Sequence, residues 1–174
     1  MSEGTLTEEV LDDKTCIIIL TGKKAEAVSA FTFVSEEDFD FLSNFRWHMA
    51  ATGYPASWDG RRVITMHHAV ATRAGMFDTG LTEIDHKNTI RLDNRRSNLR
   101  PCTRAENCSN IGLSKRNSSG IKGVCFDRSE GKWKAQLKVN GRLVLNKRFK
   151  TIEEAREAVV KARTEHCGEF ANHG

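Results

Sequence analysis

Several things are scarce in this chain of 174 residues. It holds two prolines, Pro55 and Pro101, so no Pro-rich linker divides it. No apolar run approaches the roughly 18 residues that a membrane span needs. The start, MSEGTLTEEV, is acidic and lacks the basic and apolar regions of a secretory leader. Five cysteines (Cys16, Cys102, Cys108, Cys125, Cys167) form an odd, scattered set without a CxxC pair. They read as reduced thiols of an intracellular protein rather than as a disulfide framework. Cys102, Cys108, His166 and Cys167 are residue types that bind zinc, but their spacing fits no known finger, so structural zinc is not expected.

What is present suits a globular chain of one domain or two small ones, with 39% hydrophobic residues. The net charge of +4 hides an asymmetry. Residues 1–45 carry three lysines against ten carboxylates, net −7, and the remainder is net +11. Such a split points to a basic surface offered to a polyanion, with the acidic end turned elsewhere; a solvated charged face is the plain alternative.

The most informative stretch is EIDHKNTIRLDNRRSNLRPCTRAENCSN, residues 83–110. Leu81 and Ile84 lead into Asp85-His86, a neighbouring carboxylate and imidazole. A polar loop holding Asn94 and Asn98 follows, then a short apolar return from Leu99 to Cys102. Thr103 stands three residues before Glu106, the form of a capping box, so a helix should begin there with Asn107 in its first turn. A carboxylate at a strand end and an amide oxygen on a facing helix can hold one hard cation. The adjacent imidazole, on the opposite side of the strand, could take a proton from water.

These residues resemble the HNH motif of the His-Me finger nucleases, especially the HNH homing endonucleases of phages. Asp85-His86, Ser97-Asn98-Leu99-Arg100 and Thr103-Arg104-Ala105-Glu106-Asn107 match its three parts in register. The resemblance implies that Asp85 and Asn107 are metal ligands, that His86 is the general base, and that Asn98 pins the loop so that His86 keeps its orientation. Where such proteins commonly read Asn-Gly-Asp, this chain has Asn88-Thr89-Ile90.

Taken in order, residues 1–13 read as a frayed terminus. Cys16–Leu20 and Phe31–Val34 read as strands, and Ser35 with Glu36, Glu37 and Asp38 reads as the cap of a helix carrying Phe39, Leu42 and Phe45 on one face. Gly53 through Met66 reads as a hairpin around Asp59-Gly60. In it Val63, Thr65 and His67 alternate with Ile64 and Met66. Met66-His67-His68 stands where phage HNH proteins carry Met-His-Arg, which makes His67 a candidate active-site neighbour beside the reading as a half-buried structural histidine. Arg61, Arg62, Arg95, Arg96 and Arg100 are candidate phosphate contacts.

Residues 111–119 read as a basic linker whose Lys115 and Arg116 could order along phosphates. From Gly120 the pattern changes. Lys122–Phe126 reads as a strand, and across Lys132–Val139 the residues Trp133, Ala135, Leu137 and Val139 alternate with Lys132, Lys134, Gln136 and Lys138. Asn140-Gly141 is a strong hairpin signal, Arg142–Phe149 returns, and Thr151–Glu154 is a second capping box. The helix that follows carries Ile152, Ala155, Val159 and Ala162 as an apolar stripe, with Gly168 as its terminator.

This module is similar to the DNA-binding domain of plant ethylene-response factors, which also occurs fused to phage HNH nucleases. The matching residues are Gly120–Val124, Gly131-Lys132-Trp133 with Ala135, Phe149 with Thr151, and Glu153-Glu154-Ala155. The resemblance implies a sheet laid in the major groove, with Lys122, Gln136 and Lys138 at contact positions and Lys134 on the same basic face. Leu143 and Leu145 replace an Arg and a Trp of the plant domains, so sequence preference does not transfer.

The expectation is an α+β protein: a His-Me finger catalytic domain over 14–110, a linker, and a three-stranded antiparallel sheet packed on one helix over 120–170. Its function is expected to be metal-dependent, site-preferring hydrolysis of double-stranded DNA, with one divalent cation, Mg²⁺ or Mn²⁺, and no small-molecule cofactor or membrane. One metal set per chain favours nicking by a monomer, though a dimer could cut both strands. A phage gene acting in bacterial cytoplasm is the expected setting. The alternatives are a DNA-binding regulator with an inert HNH fold, or a recombination or restriction nuclease of low sequence preference.

Overall fold

The computed structural model describes residues 14–22 and 30–174. The frayed terminus expected over 1–13 lies outside them. The chain divides into two compact units, Met1–Pro101 and Cys102–Gly174. No helix among the described residues is long and apolar enough to cross a membrane.

In the first unit, β1 (Thr15–Ile19) and β2 (Phe31–Ser35) pair antiparallel, with Ile17 opposite Phe33. Helix α1 (Glu36–Ser43) follows at once, its first turn acidic as the helix dipole favours. Ser35 stands at the N-cap position, yet its hydroxyl makes no cap bond and instead accepts the main-chain N–H of Arg96. β3 (His48–Met49), β4 (Pro55–Trp58) and β5 (Val63–Thr65) form a second sheet in that order.

The hairpin expected to run to Met66 stops one residue earlier, because helix α2 (Met66–Arg73) begins there. Its buried residues, Met66, His67, Val70 and Ala71, are spaced for a helix face, a period that the short alternation before them concealed. Burying Met66 and Val70 beside Val34, Leu42 and Trp47 decides the conformation. Trp47 is almost fully buried and donates its indole N–H to Leu42 O at 2.8 Å, so its one polar atom is satisfied.

β6 (Glu83–His86) and β7 (Leu99–Cys102) pair across the polar loop. The loop is seated by its own main chain: Phe33 N–H donates to Leu92 O and Asn94 N–H donates to Phe33 O, both at 2.8 Å, so residues 92–94 run alongside β2. Thr89 adopts φ +63° where the family commonly has glycine. Asn88 Oδ1 accepts from Ile90 N and Thr89 N donates to His86 O, so the turn closes despite a β-branched residue at its left-handed position.

In the second unit, α3 (Arg104–Asn110) opens with the expected capping box of Thr103 and Glu106. β8 (Val124–Asp127), β9 (Lys132–Val139) and β10 (Arg142–Phe149) form an antiparallel sheet with β9 central. Asn140 and Gly141 both take positive φ, as a tight primed turn requires. Helix α4 (Ile152–Cys167) carries the second capping box, and Ala155 and Val159 pack with Val124 and Ala135. Arg163, which the apolar stripe did not anticipate, is also buried on this helix and donates to Lys122 O at 2.7 Å. Gly123 explains its own residue type: a Cβ there would lie 2.8 Å from Gln136 O at φ +83°.

Lys122 donates its ammonium to Ser109 O and Ile111 O, at the end of α3, and to Asn172 O. Asn172 in turn donates to Asn110 O at 2.8 Å. The stretch read as a linker is likewise knitted: Ser119 Oγ donates to Val124 O and Gly120 N to Asn117 Oδ1, both at 2.7 Å. Composition alone made it look like a flexible connector; side-chain to main-chain bonds make it an ordered loop.

Candidate active site

Asp85 and His86 are each 5% exposed at the end of β6. Strand alternation sends the two side chains to opposite faces. On one face, Arg100 of β7 donates its Nε (3.0 Å) and Nη2 (2.8 Å) to Asp85 Oδ2. On the other, His86 Nε2 meets Asn94 Oδ1 at 3.2 Å.

The protons along this second contact can be traced. Thr32 Oγ1 donates to Leu92 O at 2.8 Å, so it is an acceptor toward Asn94 Nδ2, also 2.8 Å away. With its NH₂ group committed there and to Arg91 O, Asn94 can offer His86 only its oxygen. His86 therefore carries its hydrogen on Nε2 when neutral, and Nδ1 holds the lone pair. Burial pushes this imidazole below its ordinary pKa, against the opposing pull of the Asn94 bond and the Asp85 and Asp93 carboxylates. The result is a neutral ring with a fixed tautomer.

Aromatic rings line the same region. His67 packs edge-on to His86 at 5.2 Å between centroids and lies 4.8 Å from Tyr54, which carries Arg91 over its face at 4.8 Å. His67 is buried, and this burial, with smaller contributions from His86 and His68, pushes its pKa down to about 3. Its Nδ1 makes no hydrogen bond to protein, while Nε2 is 3.4 Å from Thr65 Oγ1.

Asn98 spans the loop, accepting Asn88 N at its Oδ1 and donating Nδ2 to Asp93 O. His86 Nε2, however, bonds to Asn94, which sequence reasoning placed in the loop without a role. The available signal was Asp93-Asn94 directly after the apolar Leu92: two polar residues that become buried, one tying Arg95 and Asn88, the other His86.

Three of the arginines expected at phosphates have carboxylate partners in their own unit. Arg95 holds Asp93 by two bonds of 2.8 Å. Arg96 holds the fully buried Asp38 by two bonds of 2.7 Å and also reaches Glu37. Arg100 holds Asp85, as above. They are internal ties, because a buried carboxylate needs a partner and these supply it. Arg61 and Arg62 stay exposed at the β4–β5 turn.

In the second unit, Asn107 lies in the first turns of α3, its main-chain N–H bonded to Thr103 O. Lys115 and Arg116 are exposed. Lys122 departs from expectation: its three ammonium hydrogens have three carbonyl partners, and burial pushes its pKa down to about 8, so it serves the fold rather than a phosphate. Lys134, Gln136 and Lys138 share one face of β9, opposite Ala135 in the core, and the register adds Asn146 and Arg148 to that face. Arg148 donates to Asp127 Oδ2 at 2.8 Å.

A hard divalent cation fits the donors of the motif. Among the described residues no three His, Cys, Asp or Glu side chains gather as a metal cluster. Asp85 is a buried carboxylate, and a hard cation held by one carboxylate would take most of its coordination shell from water and phosphate oxygens, as Mg²⁺ prefers.

Comparison with known proteins bears on the family. A family model described as HNH endonuclease matches residues 66–108, the span holding His67, Asp85, His86, Asn98 and Asn107. Over 143 residues the chain is 30% identical to an uncharacterized HNH endonuclease of Acanthamoeba polyphaga mimivirus, covering 81% of this chain and 73% of that protein. No solved structure matches.

Proposed function

The chain belongs to the HNH endonuclease family and is a nuclease, and on that premise we propose that it is a metal-dependent, site-preferring DNA endonuclease of the homing type that nicks duplex DNA. The observation that carries this reading is the ordered imidazole of His86. A ring kept neutral, with its Nε2 hydrogen directed to Asn94, carries its lone pair on Nδ1, the atom that can accept a proton. His86 takes a proton from the attacking water at that atom. Asn94 is a positioning residue that holds the tautomer, and Asn98 holds the loop around it. His67, packed against the His86 ring, keeps water from its face and limits its rotation.

In the motif, Asp85 and Asn107 are the protein ligands of the cation. When bound, such a cation stabilises negative charge developing on the leaving 3′ oxygen. Arg100 fixes the rotamer of the Asp85 carboxylate and partly offsets its charge.

We assign residues 120–170 as the DNA reader, of the ethylene-response-factor type. Its support is the basic face of β9, where Lys134, Gln136 and Lys138 stand in a row with alternate residues in the core. Lysine suits guanine or phosphate, and glutamine can bond adenine bidentately.

The competing reading is a DNA-binding regulator with an inert HNH fold. Binding alone has no use for a buried histidine whose tautomer is fixed, which favours the enzyme. The test is supercoiled plasmid with Mg²⁺ or EDTA, scoring nicked against linear product. Wild type should give nicked product with Mg²⁺ alone, and His86→Ala should bind DNA while cutting about a hundredfold to ten-thousandfold more slowly. Cutting by His86→Ala at the wild-type rate would remove the general-base assignment.

A further inference from the structure

The hairpin of β4 and β5 ends in a combination that the active site does not use. Trp58 and Val63 are directly opposite each other in the register, the last pair before the turn, and are 61% and 64% exposed. Cross-strand partners share a face, so an indole and an isopropyl group form one apolar step at the tip. Single exposed apolar residues are ordinary. This pair is flanked by Arg61 and Arg62, and the tip is rigid: Asp59 Oδ1 accepts both arginine main-chain N–H groups at 2.8 Å, and Asp59 N donates to Arg62 O at 3.1 Å. Gly60, at φ +98°, supplies the conformation this turn requires. The arginine side chains are exposed, that of Arg62 by 82%.

We propose that residues 58–63 form a wedge for duplex DNA, in which Trp58 and Val63 press on a base step while Arg61 and Arg62 hold the flanking phosphates. The inference rests on the nuclease reading for its partner and adds a contact to it. Charge selects the occupant. The tip carries two guanidinium groups against one carboxylate, which accepts two main-chain N–H groups of the turn and meets the Arg62 guanidinium at 3.9 Å. It belongs to the part of the chain beyond residue 45, which is net +11. Shape agrees, since a two-stranded ribbon is narrow enough to enter a groove, and apolar side chains set between cationic ones are how proteins lean on a base step. A protein partner would more readily match an apolar face with fewer charges at its centre.

The experiment uses the full chain as wild type, Trp58→Ala, Trp58→Phe and the double variant Arg61→Ala/Arg62→Ala, each checked for unchanged thermal unfolding. Binding to a labelled mixed-sequence duplex is titrated at several salt concentrations, with plasmid cutting and sedimentation velocity in parallel. Trp58→Ala should weaken binding about tenfold with an unchanged salt slope, and Trp58→Phe should recover part of that loss. The double arginine variant should make the slope shallower by about two units. Duplex should also shield from acrylamide the fluorescence that wild type has and Trp58→Phe lacks.

Full affinity in Trp58→Ala, with no shielding, overturns the wedge while leaving the nuclease intact. A wild type that binds and shows these losses but does not cut sinks the nuclease reading and keeps the wedge. A wild type that does not bind the duplex overturns both. If Trp58→Ala instead dissolves a dimer without changing duplex affinity, the tip is a self-association surface and the wedge is wrong.

Discussion

In the first unit, arginines of the polar loop and of β7 are bonded to carboxylates of the same unit, whereas in the second the lysines of β9 stand on an open sheet face. Arg95, Arg96 and Arg100 pair with Asp93, Asp38 and Asp85 at 2.7–3.0 Å. Across the register Lys134 faces Arg148 and Cys125, and Lys138 faces Leu143. The sequence spacing foretells the difference. These arginines follow one acid and several amides at irregular spacing, and two of their three carboxylate partners lie outside the loop, in α1 and β6. The lysines recur every second residue on a strand whose other face is core. A basic residue within reach of a buried carboxylate is first a tie; one on a period-two face is first a surface.

The sharpest way to break this comparison is to remove one tie. Asp38 is fully buried and held by Arg96 and, at 3.2 Å, by Arg73. Arg96→Ala leaves that carboxylate with a single, longer partner and should destabilise the first unit by about 3 kcal/mol, read from urea unfolding. A loss under about 1 kcal/mol would mean that Arg73 alone suffices and that Arg96 is available for other work.

A second difference lies in protonation. Burial holds His67 neutral until about pH 3, while in the unfolded chain its pKa is near 6.5. Between those values the unfolded state binds a proton that the folded state does not. Its contribution is therefore fully present above about pH 6.5 and is lost as pH falls toward 3. At pH 4 the penalty is about 3 kcal/mol. His68, lowered also by burial, adds in the same direction. His67→Phe should flatten the acid limb of the stability profile; an unchanged limb would show that other groups set it.

How far these differences were legible follows from what each reading needed. Local rules sufficed where the signal and its consequence lay within a few residues: both capping boxes, the Asn140-Gly141 hairpin and the alternation of β9. The Asp85-His86 doublet was legible through its motif. Asn94 was not, because its role depends on a partner 62 residues away, Thr32, whose hydroxyl settles which end of the amide faces His86. Lys122 was misjudged for a related reason. Its place in the resembled domain suggested a contact with DNA, while the carbonyls of Ser109, Ile111 and Asn172 take its hydrogens. Helix α2 was hidden because five residues of alternation looked like a continuing strand, and only burial of Met66 and Val70 distinguishes the two.

Thr89 offers a smaller test, at the point where this chain departs from its family. A threonine at φ +63° carries a steric cost of roughly 1–2 kcal/mol, part of which glycine would return in lost entropy. Thr89→Gly should therefore raise stability by roughly 1 kcal/mol, measured as a higher urea midpoint at unchanged slope. A destabilised variant would mean that the threonine side chain makes up the strain within the loop.

The smallest expected effect on the fold is the most useful for function. If the β9 face is a reader, its residues should matter to DNA and hardly at all to folding. Lys138→Ala and Gln136→Ala should each change unfolding free energy by less than about 0.5 kcal/mol, because neither side chain is buried or bonded to the core. Against duplexes carrying single base changes they should then part company. Gln136→Ala should relax preference at one base pair by roughly 1–3 kcal/mol, since a bidentate amide discriminates bases. Lys138→Ala should weaken every duplex alike and make the salt slope shallower by about one unit, since an ammonium on a phosphate reads charge. Unchanged binding in both would make this face merely solvated and would move the search for the reader to the exposed Lys115 and Arg116. Equal relaxation of base preference in both would instead place Lys138 on a base edge, beside Gln136.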